Sequence, residues 1–306
     1  MQSSFHDADT TSHQTVRTAS VIGASGFIGQ AVTTALAGTC RDIAAFTRAR
    51  PFAAASGALD LVLLRSDVVF WLASSIRLAT ATTHPDAVSA DVQSFEVLLD
   101  GLASQSADLP RVICVSSGGT VYDSEHAPPH DETTLTRSAN SYGEAMLSIE
   151  ELLRKHCPDH VVIRASNVYG LGQLARRGQG VIAHWMRALL DDAPLQLIGD
   201  PATRRDYLYI TDLVDAVMRC TDAPSPPHLV NIGSGSGTSL EVLLNLIERA
   251  AGRTLKVHRS PARVFDAAQH LAGRHARQGD SRLGAINSTP LRLGNDACIP
   301  NDRAVT

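Results

Sequence analysis

Three glycines spaced by three, Gly23, Gly26 and Gly29, stand between an apolar run at residues 19–22 and a helical apolar pattern through Val32, Leu36 and Ala37. A turn of this kind suits one chemical task, holding a pyrophosphate. One glycine allows the tight turn, one lets the phosphates approach bare backbone, and one lets the following helix lie close to the sheet. The helix start adds unpaired N–H groups and the positive end of the helix dipole. Ser25, Phe27 and Ile28 complete the loop, and the segment reads as a dinucleotide site. Other reactive pairs fail on their spacing. His126 and His130 stand four apart, as zinc-binding helices would have them, but Pro128 and Pro129 lie between, so no helix puts both on one face. No cysteine or third histidine is near them in sequence, and no metal is expected. Ser116-Ser117 lacks the G-x-S-x-G setting of a nucleophile elbow.

The elements that would position such a loop are legible around it. Strand signals at 19–22, 43–47, 68–72, 111–116 and 160–164 are short and largely apolar, as buried parallel strands are. Helical patterns at 30–36, 88–102 and 141–156 alternate with them. This rhythm predicts an α/β protein with a Rossmann-type doubly wound parallel sheet. After Gly170 it breaks into loops at 178–180 and 199–203 and a proline-marked turn at 224–228, then resumes in an amphipathic helix at 240–251 closed by Gly252. We read a disordered tail at 1–17 and a dinucleotide-binding domain from 18–170 plus 206–235. A smaller, discontinuous α/β substrate-binding domain takes 171–205 plus 236–306.

Composition narrows the class. A net charge of −4 over 306 residues gives no electrostatic case for nucleic acid or a membrane surface. No apolar run reaches transmembrane length, and the polar start has no apolar core of a secretory signal. The five cysteines show no C-x-x-C spacing, and reduced thiols in a cytoplasmic protein are expected. Only two of the 27 residues that are Lys or Arg are lysines, Lys155 and Lys256.

Further segments share one pattern. Asp67-Val-Val-Phe-Trp-Leu-Ala-Ser74 resembles the fourth strand of the extended short-chain dehydrogenases/reductases, and Val115-Ser-Ser-Gly-Gly-Thr-Val-Tyr122 resembles their fifth strand and active-site loop. Ser141-Tyr142-Gly-Glu-Ala-Met146 sits where that family carries Tyr-x-x-x-Lys. Arg164-Ala-Ser-Asn167-Val-Tyr-Gly170, Arg204-Arg205-Asp206-Tyr207 and Asn231-Ile-Gly-Ser-Gly235 follow in order. The chain is most similar to the nucleotide-sugar epimerase, dehydratase and ketoreductase branch, over residues 18–294.

The resemblance implies cofactor contacts at Leu72, Ala73 and Ser74 beside the glycine loop. NAD-preferring relatives end the second strand in Asp or Glu, which takes both ribose hydroxyls. Here Arg48 stands in that region with no carboxylate, and a guanidinium can pair with a 2′-phosphate. NADP is therefore favoured over NAD, the alternative being an ordinary surface arginine or one that stacks on adenine. Arg205, Arg263 and Asn167 match family residues at a nucleotide-diphosphate linker. Val88–Leu102 and Ser141–His156 match helices that form a four-helix homodimer interface in relatives.

Catalysis in this family is hydride transfer at a sugar carbon beside the nicotinamide, with a tyrosinate as base. Tyr142 occupies that position, but Met146 replaces the lysine whose charge lowers the phenol's pKa. Lys155 lies roughly 20 Å further along a continuous helix and cannot substitute. Gly118 takes the place of the usual substrate-binding Ser/Thr, leaving Ser117, our choice, or Thr120. Gly119 and Thr120 stand where sugar 4,6-dehydratases carry an Asp-Glu pair, which argues against that elimination. These residues imply an NAD(P)-dependent epimerase acting at carbon 4 or a related carbon of a nucleotide-diphosphate sugar. The alternatives are an NADPH-dependent ketoreductase and a dinucleotide-binding protein that has lost turnover.

Overall fold

In the computed structural model, which describes residues 18–81, 83–176 and 180–262, the glycine turn joins β1 (Thr18–Ile22) to α1 (Phe27–Leu36). There follow β2 (Asp42–Phe46), β3 (Val68–Trp71), α2 (Leu78–Ala81), α3 (Pro85–Gln105), β4 (Arg111–Ser117), α4 (Ser141–His156) and β5 (His160–Ala165). The remainder is β6 (Asn167–Tyr169), α5 (Val181–Leu190), β7 (Leu195–Ile198), β8 (Arg204–Tyr209), α6 (Ile210–Asp222), β9 (Leu229–Ile232), β10 (Gly237–Ser239), α7 (Leu240–Ala251) and β11 (Val257–Ser260). Local chemistry fixes several ends. Pro85 opens α3 at a position where a missing N–H costs nothing. The Asn140 side chain caps α4 by accepting from Gly143 N–H at 2.9 Å, and Arg154, Lys155 and His156 face the negative end of its dipole. Gly252 ends α7 in the left-handed conformation.

Six strands form one parallel sheet in the order β2-β1-β3-β4-β5-β9. Buried strands alternate their side chains between two cores. Val68 and Phe70 of β3 enter the core shared with α1 and α6, while Val69 and Trp71 enter the core shared with α3 and α4. The resemblance of 67–74 to a fourth strand agrees with the position of β3, which pairs with β1 on the side opposite β2. In the usual order a third strand lies outside β2. Among the described residues none does; the segment between β2 and β3 holds only an Ala53–Leu59 bridge and a 3-10 turn at Leu63–Arg65.

At the other edge, β9 is closed by side chains. Its Asn231 N–H donates to Glu132 Oε1 at 2.7 Å, and Tyr122 Oη donates to Asn231 Oδ1 at 2.5 Å. The smaller sheets β10-β8-β6 and β11-β7 border a third apolar cluster built on Trp185, Tyr207 and Leu243. Among the described residues no helix is long and apolar enough to cross a membrane, and no group of three or more His, Cys, Asp and Glu could hold a metal ion.

Candidate dinucleotide and active site

Because the strands of the main sheet are parallel, the loops after β1, β3 and β4 leave the same edge. The start of α4 returns to that edge, since the helix runs back before β5. Ligands of open α/β sheets sit in this position, where the strand order reverses, here between β1 and β3.

The glycine loop is shaped by its backbone. Gly23 adopts φ 91°, and a Cβ there would lie 2.6 Å from the Leu72 carbonyl and Ala73 nitrogen. A Cβ on Gly29 would lie 2.1 Å from the Gly23 carbonyl oxygen, so α1 approaches the turn only because residue 29 is glycine. Gly23 and Ala24 N–H both donate to the Phe46 carbonyl, tying the loop to the end of β2. Gly26 caps α1 with no side-chain bond, and the first turn carries no acid. The first intrahelical bond is made by Gln30 N–H, which leaves those of Phe27, Ile28 and Gly29 for an anion. Ser25 is exposed, and its carbonyl accepts from Gln30 Nε2. The loop thus fits the pyrophosphate of a dinucleotide.

Arg48 is exposed at the tip of the turn after β2 and makes no hydrogen bond or ion pair among the described residues. Its neighbour Arg50 is committed, lying 5.0 Å over the Phe46 ring and 3.7 Å from Asp60. After β3, Leu72 and Ala73 are half-buried beside Gly23, and the Ser74 hydroxyl donates to Asp91 at 3.0 Å.

Tyr142 lies in the first turn of α4 and packs on the apolar cluster that contains buried Met146. Burial pushes the Tyr142 phenol up to about 12, with charge at Cys114 and Asp91 acting in the same direction. The Cys114 thiol is itself driven well above its ordinary value by burial, so at neutral pH only Asp91 contributes a charge. No cation enters this balance. Burial and the Asp91 charge both favour the phenol over the phenolate.

Ser117 is half-buried at the end of β4, while Thr120 is buried and its Oγ1 has no hydrogen-bond partner among the described residues. Thr120 also abuts α4: a Cβ on Gly143 would lie 2.4 Å from its carbonyl oxygen. Further along the chain, Asn167 on β6 pairs in register with Tyr207 on β8, and its Nδ2 donates to the Asp206 carbonyl at 3.1 Å. Arg205 lies two residues before Tyr207 on the same strand, where it pairs in register with Thr238 of β10. The buried Asp206 carboxylate instead accepts from Ser234 and Gly235, bracing the loop after β9. Arg263 lies outside the described residues.

Two residues of this region have no signal of their own in the sequence. Glu150, two turns beyond Tyr142 on α4, forms a buried ion pair with Arg164 of β5 at 2.6 Å and accepts from Ser116 of β4 at 2.5 Å. The pair locks the rotation of α4 against two strands. Arg164 was legible as part of a motif, but its partner was not, because a glutamate in a helix reads as a solvated residue. Asp91 on α3 was missed for the same reason.

Residues 19–233 match the NAD dependent epimerase/dehydratase family. The chain is 35% identical to the dTDP-4-dehydro-6-deoxyglucose reductase of Escherichia coli over 142 residues, a match that spans only 45% of each protein. It is 29% identical to the UDP-glucose 4-epimerase of Mycolicibacterium smegmatis over 67% of each, and 26% identical to the dTDP-6-deoxy-L-talose 4-dehydrogenase (NAD(P)(+)) of Kitasatospora kifunensis over 83% of this chain and 85% of that one. In fold it resembles the Thermotoga maritima UDP-glucose 4-epimerase solved with UDP-glucose, with a TM-score of 0.73 at 23% identity over 85% of this chain and 91% of that one.

Proposed function

The chain belongs to the NAD dependent epimerase/dehydratase family, and from that premise we propose that it reduces a keto group on a nucleotide-diphosphate sugar at the expense of NADPH. The observation that supports this reading is Tyr142 packed on an apolar cluster with Met146 where a cation would otherwise stand, a setting in which burial raises the phenol above its ordinary value. Reduction of a ketone needs a proton delivered to its oxygen as hydride arrives, and a neutral phenol supplies one. Oxidation of an alcohol, the opening half of an epimerisation, needs the tyrosinate, which this environment disfavours.

The nicotinamide cofactor, when bound, supplies the hydride. Gly23, Gly26 and the N–H groups of Phe27, Ile28 and Gly29 would hold its pyrophosphate, and Leu72, Ala73 and Ser74 would border it. Arg48, exposed after β2, would meet the 2′-phosphate of NADPH. Arg205 and Asn167 would grip the sugar's diphosphate by charge-assisted bonds that ignore the sugar itself. Thr120 takes precedence over Ser117 for the substrate oxygen, because its buried hydroxyl has no partner among the described residues. A homodimer through α3 and α4 accompanies this reading, with Val88, Val92 and Ala145 lining the groove between the two helices.

The relatives named as UDP-glucose 4-epimerases support a second reading, epimerisation with retained cofactor. Stoichiometry separates the two. Incubation with NADPH and a 4-keto nucleotide sugar is expected to yield NADP+ and alcohol one to one. Interconversion of UDP-hexose 4-epimers with no net cofactor change would instead establish the epimerase, and no turnover of either would leave a binding protein. Met146→Lys, which restores a cation one helical turn from the phenol, is expected to move the tyrosine limb of the pH–rate profile for alcohol oxidation to lower pH by about one unit or more. An unmoved profile would remove the argument from Tyr142.

A further inference from the structure

The segment that leaves the last strand of the main sheet, residues 231–235, is pinned at both ends through buried polar side chains, Asn231 and Asp206. At its start, Asn231 of β9 meets the loop after β4. Tyr122 Oη donates to Asn231 Oδ1 at 2.5 Å, Asn231 N–H donates to Glu132 Oε1 at 2.7 Å, and Asn231 Nδ2 donates to the His130 carbonyl at 3.4 Å. The Tyr122 ring is fixed in turn, stacked on His130 at 4.7 Å and lying 5.0 Å beneath the Arg164 guanidinium. At its far end the segment meets β8. Asp206 Oδ1 accepts from Ser234 N–H at 2.8 Å and from Ser234 Oγ at 2.6 Å, and Oδ2 accepts from Gly235 N–H at 3.0 Å. Gly233 stands between the two ends, and a Cβ there would lie 2.5 Å from Asp206 Oδ2, so the segment lies flush against that carboxylate.

Each end borders a different part of the candidate site. Thr120 lies two residues before Tyr122 in the loop after β4. Arg205 immediately precedes Asp206 on β8, and the Asp206 carbonyl accepts from Asn167 Nδ2 at 3.1 Å. We propose that residues 231–235 are a spacer, with Asn231 and Asp206 as its positioning residues, that fixes the distance from the loop carrying Thr120 to the strand carrying Arg205. The ligand class this span selects is a diphosphate joined directly to one sugar ring, which reaches both ends, over a nucleoside diphosphate, which reaches one. Neither positioning residue needs to touch the ligand; each acts through the element it holds. A plain brace would alter stability alone, whereas a spacer alters the affinity of ligands that bridge the two ends. The inference rests on the nucleotide-sugar part of the reading above and not on the direction of hydride transfer.

The test uses the full chain without turnover. Tyr122→Phe removes one hydroxyl from the loop end, and Asn231→Ala removes the side chain that receives it. The probes are UDP, dTDP and their glucose conjugates, with affinity read by calorimetry. In either variant the Kd of the bound conjugate is expected to rise about tenfold, while that of the free nucleotide changes by less than about twofold. Hydrogen exchange of the Ser234 and Gly235 amides, at the far end of the segment, is expected to quicken ~10-fold or more. Equal changes for conjugate and nucleotide, no change in either, or unmoved exchange at residues 234 and 235 would each overturn the proposal. So would a wild type that binds none of the four probes. Binding of a conjugate with the expected split, but no reduction of a keto sugar by NADPH, would end the reductase reading and leave the spacer standing. If Asn231→Ala does not fold, Tyr122→Phe, which keeps the ring between His130 and Arg164, still decides the point.

Discussion

The glycine turn and the start of α4 lie on the same edge of the sheet, yet they are held in place by opposite means. The turn is fixed by main chain against main chain: Phe46 carbonyl to Gly23 and Ala24, Gly29 against the Gly23 carbonyl, Gly23 against Leu72. α4 is fixed by charge, through Glu150 reaching Arg164 and Ser116 across to two strands. Roughly 12 Å of helix separates Glu150 from Tyr142. The turn is set by backbone alone, whereas the helix that carries Tyr142 is aimed by side chains.

Breaking the charged anchor is expected to have the largest effect. Glu150→Ala leaves Arg164 buried without its counter-charge, and a loss of about 3–5 kcal/mol is expected in urea denaturation. If the loss is under about 1 kcal/mol, α4 is not held as described. Next comes the backbone seat. Gly29→Ala forces a methyl toward the Gly23 carbonyl and should cost about 1–3 kcal/mol, with weaker NADPH binding by fluorescence titration. Unaltered cofactor affinity in a folded variant would separate the turn from the dinucleotide.

The smallest effect belongs to the opposite edge of the sheet, which serves as a control on both. There His160 stacks on His228 at 4.5 Å between ring centroids, and its Nδ1 lies 2.5 Å from the Cys157 carbonyl. Burial holds His160 below its ordinary value of 6.5, so the neutral ring is the folded form. Its contribution is complete above that pH and declines as pH falls below it, because the unfolded chain then binds the extra proton. A modest drop in melting temperature on acidification is expected, and His160→Asn should flatten that limb while leaving alkaline stability little changed.

Elements set by short-range pattern were legible in the sequence. The helix at 141–156 has the bounds its cap and basic last turn imply, and the five predicted strands of the first two-thirds fall within a residue of β1 to β5. The missing third strand was not foreseen as a structural fact, since a gap in the strand signals between residues 47 and 67 reads equally as a long loop. At the site, Gly23, Gly26 and Gly29 announced themselves by spacing. Tyr142 and Met146 were placed by resemblance, and their electrical surroundings were not legible at all. Asp91 and Glu150 act across 16 and 34 residues of chain to Ser75 and Ser116, distances over which sequence carries no local signature.

A sheet that stops at β2 has a consequence for association. Among the described residues β2 pairs only with β1, so its outer row of N–H and C=O groups forms an edge onto which another strand could add. Its design discourages this. It is five residues long, it enters through exposed Arg41 and Asp42, and Pro51 follows soon after its end. Among the described residues the edge at β2 is guarded by brevity, charge and a proline, the means by which natural sheets avoid aggregating edge to edge.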